Sequence, residues 1–170
     1  MSHFDDLETR TQTDRNDAQL AVLNGLLSTP LALLADLVGY PVLRKSDLSA
    51  AQKAKPPFGG LTVKNVTQIF QSPGPIYEPG GSSYDWWRFG RFMAACDIGA
   101  DDIVQNCFGY HLTPAGMMLE NGARAVGATV LPAGTGQTEL QVRAAHDIGS
   151  TAYAGTPDYL KVILEKSDEM

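Results

Sequence analysis

Several things are scarce in this 170-residue sequence, and each scarcity excludes something. There are only two cysteines, Cys96 and Cys107, so a disulfide framework is excluded and a reducing, cytoplasmic setting is expected. Both sit in apolar contexts and read as small core residues. No basic run occurs, the net charge is −6 and the pI is about 4.9, which argues against a nucleic-acid-binding surface. No apolar stretch reaches roughly 18 residues, so no membrane-spanning helix is expected. The opening Met1-Ser2-His3-Phe4-Asp5-Asp6 is too acidic and polar for a signal peptide. His3 and His146 stand apart from cysteine or carboxylate partners, so no metal site is expected.

The remaining composition, 44% apolar and 19% charged, suits an ordinary globular chain long enough to bury a core. Two parts are expected: a helical N-terminal segment with a linker over residues 1–60, and an α/β part over residues 61–170. In the first, Leu20, Leu23 and Leu27 recur at helical spacing from Asp14 onward. Thr29 and Pro30 then read as a cap and first position of a helix over Leu31–Val38, stopped by Gly39, and the two helices share an apolar face. Ser46 or Asp47 is a candidate cap for a further short helix. Lys53–Gly60, rich in Pro and Gly, is the candidate boundary.

Residues Ile69–Ser83 are the least ordinary stretch. An apolar run, Val66–Phe70, reads as a strand leading in, and a helix starting near Tyr84 leads out. Backbone amides in a Gly- and Ser-containing turn between a strand and a helix are natural phosphate donors. The candidates here are Ser72, Gly74, Gly80, Gly81 and Ser82, yet Pro73, Pro75 and Pro79 have no amide to offer. Ser82 and Asp85 read as a capping box for the helix, whose buried face is Trp86, Phe89, Gly90 and Met93. Trp87 and Phe92 fall off that face and suggest burial on both sides or a partner surface, with a homodimer one possibility.

From Asp101 the pattern becomes regular. Strands are expected over Ile103–Phe108, Ala128–Pro132 and Ser150–Ala154, and helices over Ala115–Gly127, Thr138–Asp147 and Pro157–Lys166. Such alternation implies βα units in a parallel, doubly wound sheet. Ligands of these sheets gather at the C-terminal strand ends. That edge carries Phe108, Gly109, Tyr110, His111 and Leu112 after the first strand, and Gly134, Thr135 and Gly136 after the second. Either Thr135 or Thr138 is expected to cap the helix that follows, and Asp101-Asp102 reads as a solvated strand entry.

The run Cys107-Phe-Gly-Tyr-His-Leu-Thr-Pro-Ala-Gly116, with Gly122-Ala-Arg-Ala-Val-Gly-Ala-Thr-Val-Leu-Pro-Ala-Gly-Thr-Gly-Gln-Thr-Glu139, resembles phenylacetate–coenzyme A ligases. These belong to the adenylate-forming superfamily. Pro41–Leu48, Pro57-Phe-Gly-Gly60 and Thr156–Leu160 resemble further segments of the family, so the likeness covers roughly residues 40 to 163. It implies that a carboxylate attacks the α-phosphate of ATP with Mg²⁺ present, and that the coenzyme A thiol then displaces AMP. It also implies that the Phe108–Leu112 group, Tyr110 above all, lines a pocket for an aromatic or other small carboxylic acid. The phosphate-binding group would be Ser72, Gly74, Gly80, Gly81 and Ser82 with Gly134, Thr135 and Gly136, and no residue is assigned a catalytic role. The family's phosphate loop contains a lysine, and residues 69–83 have none. Its later adenine, ribose and hinge motifs and its C-terminal catalytic lysine have no counterpart in this sequence. The expectation is therefore the N-terminal portion of a ligase-like protein, inactive by itself. A non-catalytic binding or dimerisation module on the same fold is the alternative.

Overall fold

A computed structural model describes residues 9–170, and His3 and the polar opening lie outside these. The chain divides into two compact units, Met1–Asp47 and Leu48–Met170, so the Lys53–Gly60 run lies inside the second.

In the first unit, helix α1 spans Gln12–Asn24. It begins before the apolar periodicity does because Thr11 and Asp14 form a reciprocal capping box. The Asp14 amide donates to Thr11 Oγ1 at 3.1 Å, and the Thr11 amide donates to Asp14 Oδ2 at 3.2 Å. The helix expected over Leu31–Val38 is instead a 3-10 helix over Leu34–Gly39. Asn24 accounts for the delay: its side chain accepts from the Leu31 amide at 2.7 Å and donates to the Leu31 carbonyl at 3.0 Å. The capping carboxylate is that of Asp36, bound to the Leu33 amide at 2.8 Å.

Helix α2 covers Lys45–Ala54. Its one buried residue, Gln52, acts as a surrogate strand partner. The amide donates to the Tyr77 carbonyl at 2.7 Å and accepts from the Tyr77 amide at 2.8 Å.

The stretch expected to run strand, loop, helix is an antiparallel hairpin, β1 (Val66–Ser72) paired with β2 (Ile76–Gly81). Pro73 to Pro75 make its turn, with Gly74 at φ +148°. A second strand was hidden in the sequence because Pro79 interrupts it, and proline is tolerated in short, edge-like strands of this kind. Alternation places Phe70 and Ile76 on the buried face. The Phe70 ring meets Trp87 edge-on at 5.8 Å.

The helix after the hairpin is shorter than its apolar face suggests. Asp85 and Arg88 adopt positive φ, Trp86 and Trp87 lie in the resulting turn, and helix α3 spans only Gly90–Ala95. The expected Ser82–Asp85 box does not form. The Asp85 carboxylate instead accepts from the Gly90 amide at 3.0 and 3.1 Å.

The rest follows the expected alternation: the three strands and the helix from Ala115 are shorter by one or two residues at an end, while the last two helices run one and three residues further. It comprises β3 (Ile103–Asn106), α4 (Ala115–Ala125), β4 (Thr129–Leu131), α5 (Thr138–Ile148), β5 (Ala152–Ala154) and α6 (Pro157–Glu169). The three strands are parallel in the order β4-β3-β5, giving a mixed α/β structure with a helical N-terminal segment. Met93, Val104, Leu119, Ala123, Ala128 and Ala154 form its core. Asp102 does more than enter the strand: its carboxylate accepts from the Gly99 amide and the Thr151 hydroxyl, at 2.8 and 2.7 Å, tying the N-terminal ends of β3 and β5. These bonds hold its carboxyl below the usual range. Thr156 caps α6, with Pro157 at the first helical position. At α5 the cap position falls to Gln137, in the left-handed region, and neither Thr135 nor Thr138 fills it.

Candidate functional site

Three junctions meet at the C-terminal edge of the parallel sheet, and buried amides lock them together. Asn106, fully buried at the end of β3, donates to Tyr110 Oη at 2.8 Å and to the Gly116 carbonyl at 2.7 Å. Its Oδ1 accepts from the Phe108 amide at 3.2 Å, and its backbone carbonyl accepts from the Gly134 amide at 2.9 Å. On the other side, Gln141 of α5 points its amide nitrogen at the carbonyls of Gly136 (2.7 Å) and Gly134 (3.1 Å). Its Oε1 receives the Gln105 amide and the Cys107 thiol, both at 3.0 Å. Tyr159 of α6 closes the set by donating to the Gly136 carbonyl at 2.8 Å. A buried amide without partners would cost about 1–3 kcal/mol, so this network pins the loops as much as it decorates them.

Within the loop after β3, Phe108 packs on the core. The Gly109 carbonyl accepts from the Gly116 amide at 3.0 Å. The Tyr110 ring lies against Gly116, where an added Cβ would come within 2.8 Å of it. Burial, reinforced by Glu120, pushes the Tyr110 hydroxyl well above its ordinary range, so at neutral pH it is a hydrogen-bonding group and not a base. His111 and Leu112 are exposed, and the Leu112 carbonyl accepts from the Gln71 amide of β1 at 2.8 Å. In the loop after β4, Gly134 and Gly136 sit at positive φ with their carbonyls occupied by Gln141 and Tyr159, while Thr135 is exposed.

The phosphate candidates of residues 69–83 are not gathered. Ser72 and Gly74 lie at the turn end of the hairpin, where the Ser72 hydroxyl donates to Glu78 at 2.8 Å. Gly80, Gly81 and Ser82 lie toward the opposite end, roughly 13 to 20 Å away at the rise of an extended strand. An added Cβ on Gly80 would meet the Phe70 ring at 2.5 Å, and one on Gly81 would meet Trp86 at 2.5 Å. These two glycines make room for rings. Gly81 and Ser82 border a polar cleft of about 710 Å³ against α4, beside the buried and unpartnered Oδ1 of Asn121. No group of three His, Cys, Asp or Glu side chains fit to hold a metal occurs among the described residues. The hairpin register holds Ser72 and Gly74 apart from Gly80, Gly81 and Ser82. Cys107 is buried as expected, but Cys96 is exposed, a correction to the core role given it, because it follows the end of the short α3.

Asn106, Gln105 and Gln141 are the site residues that apolar periodicity passes over. Their signal was the consecutive polar pair Gln105-Asn106 inside an otherwise apolar strand, where buried amides demand partners.

No protein-family model matches the sequence. Curated phenylacetate–coenzyme A ligases do. That of Aromatoleum evansii is 30% identical over 155 residues, covering 86% of this chain and 34% of the ligase. Those of Thermus thermophilus and Escherichia coli are 31% and 30% identical over 142 residues. The chain is a relative of the N-terminal part of phenylacetate–coenzyme A ligases. It spans about a third of the length of these relatives. Among solved structures, a 2-hydroxyisobutyryl-CoA ligase in complex with 2-HIB-AMP and CoA matches 95% of this chain and 41% of its own, with a TM-score of 0.80 and 22% identity. Its open conformation matches 89% of this chain with a TM-score of 0.72. The fold is thus that of part of a CoA ligase. Among the described residues no helix is long and apolar enough to cross a membrane.

Proposed function

We propose that this chain supplies the N-terminal portion of an acyl- or aryl-CoA ligase-like protein, which activates a small carboxylic acid with ATP and passes it to coenzyme A. The observation that carries this reading is the match to phenylacetate–coenzyme A ligases across 86% of the chain. In this reading Phe108–Leu112 form one wall of the acid pocket, with Tyr110 as a fixed, protonated hydrogen-bonding group. Gly134–Gly136 face the nucleotide side of the same edge, and Ser72, Gly74, Gly80, Gly81 and Ser82 are remnants of the phosphate loop. ATP, Mg²⁺ and coenzyme A are its cofactors, and its setting is cytoplasmic, without nucleic-acid or membrane partners. The chain alone is inactive, since the scattered hairpin donors and the missing lysine leave the charge on the attacked α-phosphate and the departing pyrophosphate without stabilisation.

We also read residues 1–60 as the N-terminal segment with its linker, and 61–170 as part of the ligase α/β domain. The order β4-β3-β5 reverses direction at β3, so right-handed crossovers would put α4 and α5 on opposite faces, a doubly wound sheet. ATP–pyrophosphate exchange with phenylacetate or benzoate tests the activity. No exchange by the 170-residue chain is expected, and exchange above a protein-free control would overturn the inactivity. A thermal shift with ATP or with the acid supports the ligase reading. Absence of both shifts favours the second reading, a non-catalytic binding or homodimerising module. The exposed rings of Tyr84 and Phe92 speak for that reading, which sedimentation would test.

A further inference from the structure

A second cleft lies between α2 and the outer face of the hairpin. Its volume is about 500 Å³, within the range of small-molecule pockets. Along α2, Ser49, Gln52 and Lys53 line it at i, i+3 and i+4, one face of the helix. Across from them stand Ile69, Pro75 and Tyr77, with Pro56 and Pro57 at the end of the helix. The hairpin register explains why these side chains are there. Tyr77 pairs with Gln71, two residues from Ile69, so Ile69 and Tyr77 share the face opposite the buried Phe70 and Ile76. Ile69 is 54% exposed and Tyr77 41% exposed, the apolar surplus of the hairpin.

The polar groups in this cleft are few, and they select a ligand. Gln52 is spent, both ends of its amide being held by Tyr77. That leaves the Ser49 hydroxyl and the Lys53 ammonium, neither of which has a hydrogen-bond or ion-pair partner among the described residues. An apolar slot with one cation and one hydroxyl at its rim complements an amphiphilic anion. A neutral hydrocarbon would leave the ammonium unused, and a polyanion would find only one charge in a protein of net charge −6. We propose that this cleft binds a small apolar monocarboxylate, its aromatic or branched body against Pro57, Ile69, Pro75 and Tyr77 and its carboxylate at Lys53 and Ser49. The C-terminal end of a helix repels an anion, so Lys53 must supply the attraction. The cleft shares no lining residue with the loops of the sheet edge, and the proposal does not rest on the ligase reading.

Amide chemical-shift titration of the full chain with benzoate tests this, up to about 10 mM, the range open to a ligand of so few atoms. Saturable shifts are expected at Ser49, Lys53, Ile69 and Tyr77. Benzamide, the neutral isostere, should bind more weakly. Lys53→Gln should weaken benzoate by up to about fivefold, the size of an exposed ion pair, and erase its advantage over benzamide. Ile69→Asp, at an exposed position that leaves the buried face intact, should weaken benzoate more than tenfold. No shifts at these residues, or equal affinity for benzoate and benzamide in the unaltered chain, would overturn the proposal. So would shifts confined to Phe108–Leu112, which would support the acid pocket of the ligase reading instead. Concentration-dependent changes at Ile69 and Tyr77 without ligand would show a second copy occupying the cleft and would equally overturn it.

Discussion

Residues 103–169 and residues 66–95 are held by different kinds of bond. In the first region, buried amides from Asn106, Gln105 and Gln141 tie consecutive βα junctions to one another, Asn106 and Gln141 with several partners each. In the second, the ties are isolated from one another: Gln52 to Tyr77, the Gln71 amide to the Leu112 carbonyl, Asp85 to Gly90, and the Tyr84 hydroxyl to the Ala125 carbonyl. A network shares its load, so loss of one member strands several groups at once. A single tie fails alone. The βα region should therefore respond to substitution as a block, and the hairpin region piece by piece.

The heaviest blow to that contrast is Asn106→Ala, which leaves Tyr110 Oη and the Gly116 carbonyl without their donor at a fully buried site. A loss of about 2–4 kcal/mol in urea-unfolding free energy is expected, with the near-ultraviolet signal of Tyr110 changing in the same transition. Gly122→Ala tests the joint between the regions. Its Cβ would lie 2.5 Å from Phe89 Cβ and 3.0 Å from the Phe89 backbone, so the start of α3 must move, at about 1–3 kcal/mol.

Alkaline pH should weaken the βα block selectively. Burial pushes the Cys107 thiol from its ordinary 9.0 up to about 11, and the Tyr153 hydroxyl up to about 12. Both protons are held more tightly in the folded chain, so the unfolded chain releases them first as pH rises. Their stabilisation is complete below about pH 9 and is lost as pH climbs through the folded values, and chemical denaturation between about pH 8 and pH 11 measures it. Cys107→Ala should flatten that slope. The smallest effect belongs to the hairpin side: Asp85→Ala removes one capping carboxylate at α3 and should cost about 1 kcal/mol. Hydrogen exchange should show that loss at Gly90–Ala95 while leaving β3 protected.

The same contrast decides what could be read from the sequence. In β3–α6, an apolar run, a Gly or Thr-Pro junction and a helical stripe all agree within a few residues, so each element was legible. The loops at the sheet edge were placed correctly for the same reason. Residues 66–95 were not legible because their conformation is decided elsewhere. Asp85 and Arg88 take positive φ, which no periodicity announces, and the Trp86–Met93 stripe looked helical although half of it is turn. The β2 strand could not be seen through Pro79, so Gly80 and Gly81 passed for loop glycines when their role is to admit Phe70 and Trp86. The network residues Asn106 and Gln141 were missed because polar side chains carry no weight in an apolar pattern.

Cys107 has one more consequence. Its thiol donates to the same Gln141 oxygen that Gln105 shares, while the nitrogen of that amide holds the carbonyls of Gly134 and Gly136. Whatever opens the 133–137 loop must disturb Gln141 and so release the sulfur. The S–H stretching band, in a spectral window where other protein groups are silent, is thus a label-free gauge of that loop, already built into the chain.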